Sequence, residues 1–142
     1  MAEEDEELRR LREAKLRKLM RRLAEREKKR GEAVLDRPVE LTDESLDRFV
    51  EAHRLAVVDC WAPWCAPCRV LAPVIEELAR DYAGRIAFGK LNVDENPLTP
   101  LRFNITGIPT LLVFKRGRLV DRIVGALPRP VLEARLRKHL GA

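Results

Sequence analysis

Glutamine is absent from the sequence, asparagine occurs three times and cysteine three times in 142 residues. Three cysteines are too few, and odd in number, for a secreted scaffold stapled by disulfides. The N-terminus opens on acidic and then basic residues. It contains no apolar run of signal-peptide length, and no later segment approaches a membrane span. These absences lead to the expectation of a cytoplasmic chain with no membrane association. Few amides beside abundant Arg and Glu fit a hyperthermophile and a GC-rich genome equally well, so composition does not identify the source.

What is present suits one compact domain with a tail. The net charge of +5 is uneven, with +3 carried by residues 1 to 32 and +2 by residues 33 to 142. Both signs are interleaved and the tail has no aromatic residue. Solubility is the expected meaning, and nucleic acid is a disfavoured partner.

From Met1 to about Arg30 the chain reads as a helix. Leu8, Leu11, Leu16, Leu19, Met20 and Leu23 fall within one broad apolar sector at 100° per residue. Acidic residues crowd its beginning and basic ones its end, in the sense that the helix macrodipole favours, and Gly31 is a C-terminal stop. Residues 1–31 are thus a charged amphipathic extension, 32–37 a polar linker and 38–142 the main domain. There, strands alternate with helices. Val39 to Leu41 is a strand, and Thr42 caps a helix carrying Leu46, Phe49 and Val50. Leu55 to Trp61 is a nearly continuous apolar run, as in a central strand covered on both faces, and the next helix runs through Val70, Val74, Ile75 and Leu78. Ile86 to Val93 is a third strand, and Asn96 and Pro97 open a short helix. Thr110–Phe114 and Arg118–Val124 form a hairpin around Gly117, and a last helix carries Val131, Leu132, Leu136 and Leu140. Each helix must bury its stripe on a sheet face, so the expected class is α/β, a mixed sheet flanked by helices.

Cys65 and Cys68 lie where the second strand gives way to a helix, and this spacing puts both sulfurs on one side of the first turn. A disulfide across so short a loop removes little chain entropy, so it matters more for exchange than for stability. Pro67 is tolerated in the first turn. The free N–H groups and the helix dipole favour a thiolate at Cys65, the expected nucleophile, with Cys68 less accessible as the resolving thiol. Zinc needs about four ligands, and beyond this pair the chain offers only Cys60, His53 and His139. A structural disulfide and an inert pair of core thiols are the remaining, weaker alternatives.

Asp59 falls inside an apolar strand, where desolvation should raise its pKa. Lys90 on the neighbouring strand is a candidate modulator, although a strand-end lysine is commonly just solvated. Pro109, after Ile108 at a strand start, removes a ladder donor and suits a special turn, including one with a cis peptide.

The segment Val58-Asp59-Cys60-Trp61-Ala62-Pro63-Trp64-Cys65-Ala66-Pro67-Cys68 resembles the active-site segment of the thioredoxin family. Pro73, Lys90 to Asp94, Gly107-Ile108-Pro109-Thr110, the Phe114 to Gly117 turn and Val124-Gly125 follow in family order, so the resemblance spans roughly Pro38 to Ala142. It implies a thioredoxin fold and a protein-disulfide reductase that needs no bound cofactor or metal. Its implied partners are disulfide-containing substrate proteins and an electron donor like thioredoxin reductase. It assigns Asp59 the proton of Cys68, and it places a cis Pro109 facing the thiols, with the Ile108 backbone free to pair with an extended substrate segment. Trp64, Pro67 and Gly125 would complete the docking surface, while Trp61 and Pro73 serve packing and helix bending. The sequence departs from the family at Ala66, in place of the usual glycine. The extra methyl and higher helix propensity are expected to shift reduction potential and partner fit, with Pro67 and Lys90 as further tuning residues. Cys60 stands at a commonly aromatic position and reads as a small hydrophobe.

The resemblance does not reach the N-terminal helix. A solvated, fraying helix is its plainest reading, against packing on the domain, a partner helix, nucleic acid or a membrane surface. Two functional alternatives stay open: an oxidase or isomerase of the same fold, and a binding module recruited through this helix.

Overall fold

The computed structural model describes residues 2–31 and 34–141, with side chains for residues 5–26 and 34–141. Met1 and the linker residues Glu32 and Ala33 lie outside the described residues. The chain divides into two compact units, Met1–Ala33 and Val34–Ala142. The first is one helix, α1 (Ala2–Gly31).

The second unit contains β1 (Val39–Leu41), α2 (Leu46–Ala52), β2 (Leu55–Trp61), α3 (Ala66–Asp81), β3 (Ala87–Asn92), α4 (Leu98–Arg102), β4 (Thr110–Lys115), β5 (Arg118–Val124) and α5 (Arg129–Leu140). Its sheet has the order β1-β3-β2-β4-β5. The β1, β3 and β2 strands run parallel, while β4 and β5 join antiparallel. This is the mixed sheet that the alternation of elements predicts. β2 is central and buried along nearly its whole length, as its apolar run requires.

Because side chains alternate along a strand, β2 splits between two cores. Leu55 and Val57 join Leu71, Ile75 and Leu78 of α3 and Leu132 and Leu136 of α5 on one face. Ala56, Val58 and Cys60 join Leu46, Phe49 and Val50 of α2 on the other. Leu35, in the segment read as linker, is half-buried against this second core.

Two local details differ from the sequence reading. Thr42 does not cap α2 directly. It opens a turn in which Ser45 N–H donates to the Thr42 hydroxyl and Thr42 N–H to the Ser45 hydroxyl, and the helix begins at Leu46. Val70 lies on the solvent side of α3, whose buried face is Cys68, Leu71, Ile75, Leu78 and Ala79, so an apolar residue stands exposed one turn from the helix start. The β4–β5 turn places Arg116 and Gly117 both at positive φ, the conformation whose twist matches a two-residue hairpin.

Candidate functional site

The end of β2 delivers Ala62, Pro63 and Trp64 to the start of α3, and Cys65 sits at the N-cap of that helix. Its Sγ accepts the backbone N–H of Cys68 at 3.3 Å. Helix N-termini hold unpaired N–H groups and a partial positive charge, so the cap position stabilises negative charge on this sulfur. Cys65 and Cys68 are joined as a disulfide, with Cα atoms 5.3 Å apart. The expected contrast in accessibility is not seen: Cys65 is 4% exposed and Cys68 3%. What distinguishes them is position. Cys68 lies on the sheet-facing side of α3 with Leu71, whereas Cys65 is the cap and its sulfur lies 3.8 Å from the Ile108 carbonyl oxygen. Ala66 and Pro67, between them, are exposed.

Opposite the sulfurs stands the turn before β4, where the Ile108–Pro109 peptide is cis. Thr110, buried, donates from its hydroxyl to the Gly107 carbonyl at 2.5 Å and closes that turn. The Gly125 N–H donates to the Pro109 carbonyl at 2.8 Å. Gly125 holds φ +98°, a conformation that side-chain-bearing residues rarely adopt, so glycine here lets β5 reach Pro109. Among the described residues the Ile108 peptide groups enter no backbone hydrogen bond.

Trp64 is 67% exposed, yet its indole is fixed: Nε1 donates to the Asp94 carboxylate at 2.9 and 3.2 Å. Asp94 is itself set by its N–H donating to Asn92 Oδ1, at the end of β3. Trp64 then forms one wall of a groove of about 320 Å³ whose other walls are Val93, Pro100, Ile105, Thr106, Gly107 and Ile108. Sequence reasoning assigned no part to Asp94, Pro100 or Ile105. The signal lay only in an acidic residue just past a strand, and such residues are usually solvated.

Asp59 lies on the face of β2 covered by α3. It is 5% exposed, and its Oδ1 has no hydrogen-bond partner. Burial pushes its pKa up to about 7, against the downward pull of the Lys90 ammonium. It borders an open cavity of about 430 Å³ also lined by Arg37, Ile75, Glu76, Arg80 and Lys90. Lys90 sits inside β3, not at its end, with Nζ 5.7 Å from the Trp61 ring centroid. Trp61 packs against Ala62, Cys65 and Cys68. Pro73 lies inside α3, where it leaves the Arg69 carbonyl without its helical donor. Cys60 is fully buried on the opposite face of the sheet, and burial, with Asp59 beside it, pushes its thiol up to about 12. Among the described residues no cluster of His, Cys, Asp and Glu has the makings of a metal site, and no helix is long and apolar enough to cross a membrane.

Comparison with known proteins matches this arrangement. The family model described as Thioredoxin fits residues 37–138. The chain is 48% identical to "Thioredoxin 2" of Chlorobaculum tepidum over 103 residues, 72% of this chain and 94% of that protein. It is 49% identical to "Thioredoxin" of Staphylococcus aureus over 102 residues, 72% of this chain and 97% of that one. Among solved structures, a mutant thioredoxin from Halobacterium salinarum NRC-1 superimposes with TM-score 0.73 at 30% identity, covering 78% of this chain and 96% of the other. A mixed sheet with a cysteine pair at the start of α3, a cis proline opposite it, and relatives of this identity over nearly their whole length place residues 37–138 unambiguously: the chain belongs to the thioredoxin family.

Proposed function

We propose that this chain reduces disulfides in partner proteins, with Cys65 as attacking thiolate, Cys68 as resolving thiol and Asp59 as proton acceptor. Protein-disulfide oxidoreductase activity is that of the family to which the chain belongs. The observation that carries the assignment of roles is Cys65 at the N-cap of α3, its sulfur accepting the Cys68 N–H. A thiolate there is stabilised by the same N–H groups and dipole.

The reaction balances as follows. The Cys65 thiolate attacks one sulfur of the substrate disulfide. The substrate S–S bond breaks, its second sulfur leaves as a thiolate that takes a proton, and a mixed disulfide forms. Cys68 then gives its proton to the Asp59 carboxylate through water and attacks Cys65 Sγ. The remaining substrate sulfur leaves as a thiolate that takes a proton from water, and Cys65 and Cys68 close their disulfide, two electrons having passed to the substrate. A group with pKa about 7 is divided between its two forms at neutral pH, so it can accept this proton and release it again. Lys90 tunes that carboxylate through space, and Ala66 and Pro67 tune the pair itself.

The groove between Trp64 and Ile108 suits an apolar side chain of the substrate. The Ile108 N–H and C=O, which enter no backbone hydrogen bond among the described residues, suit pairing with an extended substrate backbone, with Pro109 and Gly125 shaping the edge. A thioredoxin-reductase-like enzyme returns two electrons and two protons, and no bound cofactor is needed. A cytoplasmic location completes the reading. The test is reduction of insulin disulfides with dithiothreitol as electron source. The wild-type chain accelerates precipitation of the reduced chains and Cys65→Ser does not. Equal inactivity of the two would end the proposal.

A further inference from the structure

Helix α1 lies outside the residues that match the family model, and among the described residues its unit holds no other element. Leu8, Leu11, Leu16, Leu19, Met20 and Leu23 are exposed along it. We propose that two copies of this chain associate through an antiparallel pair of α1 helices.

A seam runs within the apolar sector. At 100° per residue, Asp5, Leu8, Arg12, Lys15, Leu16, Leu19, Leu23 and Arg26 share one face, in steps of three and four residues on either side of the adjacent pair Lys15 and Leu16, as in a two-helix seam. The steps read three, four, three outward from the Lys15/Leu16 midpoint in both directions. An antiparallel pair centred on that midpoint therefore sets Leu8 of one copy against Leu23 of the other. Arg12 lays its aliphatic stem along Leu19, and Asp5 meets Arg26. Each contact occurs twice by the two-fold symmetry. A parallel pair would stack Asp5, Arg12 and Arg26 each on its own copy, bringing like charges together in the seam.

Gross charge selects the same alignment. Residues 2–14 carry six acidic and three basic side chains, and residues 15–31 two acidic and nine basic. Antiparallel copies lay the acidic half of each along the basic half of the other, whereas parallel copies lay like on like. An anionic lipid or nucleic-acid surface would attract one half and repel the other. The proposal is independent of the redox reading, since it uses no residue of the thiol site.

Sedimentation equilibrium of the full chain across micromolar concentrations tests it. The expected mass is twice the 16.3 kDa of one chain. Leu8→Asp with Leu23→Asp returns it to that of one chain, with insulin reduction unchanged. Asp5→Arg alone and Arg26→Asp alone each lower the dimer fraction, and the two together restore it, an outcome available only to the antiparallel pair. A chain that stays monomeric, a dimer indifferent to charge at Leu8 and Leu23, or a double swap no better than either single change each overturns the proposal. So does a monomer that binds phosphatidylglycerol vesicles or duplex DNA through α1.

Discussion

Asp59 and Lys90 are direct register partners across the parallel β2 and β3 strands, and both border one cavity, yet no salt bridge joins them. The carboxylate is buried with Oδ1 unpartnered, and the ammonium lies out in solvent near the Trp61 ring. Burial raises the acid's pKa and Lys90 lowers it, and burial wins, which leaves Asp59 at about 7.

Stability should therefore fall as pH rises through this group. Between the ordinary carboxylate value of 3.8 and about 7 the native state holds a proton that the unfolded chain releases. The stabilisation is full below the lower value and lost above the upper. Three pK units at ~1.4 kcal/mol each make this loss on the order of 4 kcal/mol. In urea unfolding, the stability of wild type relative to Asp59→Asn should fall across that window, leaving Asp59→Asn the more stable of the two at pH 8.5. Parallel pH profiles for the two proteins would refute the burial argument.

The proposed division of labour between the thiols predicts distinct failures. Cys65→Ser forms no adduct with a disulfide substrate. Cys68→Ser attacks but cannot resolve, so a mixed disulfide accumulates and is visible by mass spectrometry. Asp59→Asn completes the cycle with its resolving step slowed by about 10²-fold, the lower range for a lost acid–base group. Rapid-quench trapping of the adduct separates this from slower attack, which would instead assign Asp59 to Cys65.

Trp64 is anchored by Asp94, and Asp94→Ala should release the indole. The expected result is a higher KM toward a protein disulfide with little change toward a small disulfide such as oxidised glutathione, because on the proposed reading only the former uses the groove. The loss of a charge-assisted hydrogen bond corresponds to about 1.5–3 kcal/mol. Equal losses on both substrates would mean that Asp94 acts on the thiols and not on docking.

Cys60 should be chemically silent. Its thiol is buried on the far face of the sheet with its pKa pushed up to about 12. Iodoacetamide should alkylate Cys65, the thiol at the helix cap, in the reduced native protein and reach Cys60 only after denaturation. Cys60→Ala should retain full insulin reduction.

Asp43 ties the turn before α2 to α4. It accepts hydrogen bonds from the Thr99 hydroxyl and from the N–H groups of Thr99 and Leu98, and the Asp43 N–H donates to Asn96. Burial pushes its pKa up, but those hydrogen bonds outweigh this and hold it below the usual value. Asp43→Ala should cost about 1–2 kcal/mol, as for a lost helix cap. It should also raise hydrogen exchange in α4 and the loop leading to Ile108. Exchange unchanged there would show the cap to be dispensable.

Much of the fold was legible from one dimension because burial repeats with the period of each element. The apolar run Leu55 to Trp61 declares a central strand, and the spacing of Val74, Ile75 and Leu78 declares the inner side of α3, to which the structure adds Leu71. Val70 misled because an exposed apolar side chain on a helix looks like a core residue in sequence. Thr42 misled because a reciprocal Thr–Ser turn and a helix cap use the same residue types.

The cysteine pair was already decided along the chain. Its spacing, Pro67 and the strand-to-helix junction are local facts, and local geometry suffices to bring two sulfurs together one turn apart and to put Cys65 at a helix start. The rest of the site depends on residues far apart in the chain. That Ile108 comes within reach of Cys65, that Asp94 holds Trp64, and that Lys90 shares a cavity with Asp59 follow from strand order and register. Packing of both sheet faces sets these, and no local pattern encodes them. Burial itself is such a property: composition placed a carboxylate in an apolar strand, but only the closing of α3 over β2 withdrew it from water and moved its proton affinity toward neutrality.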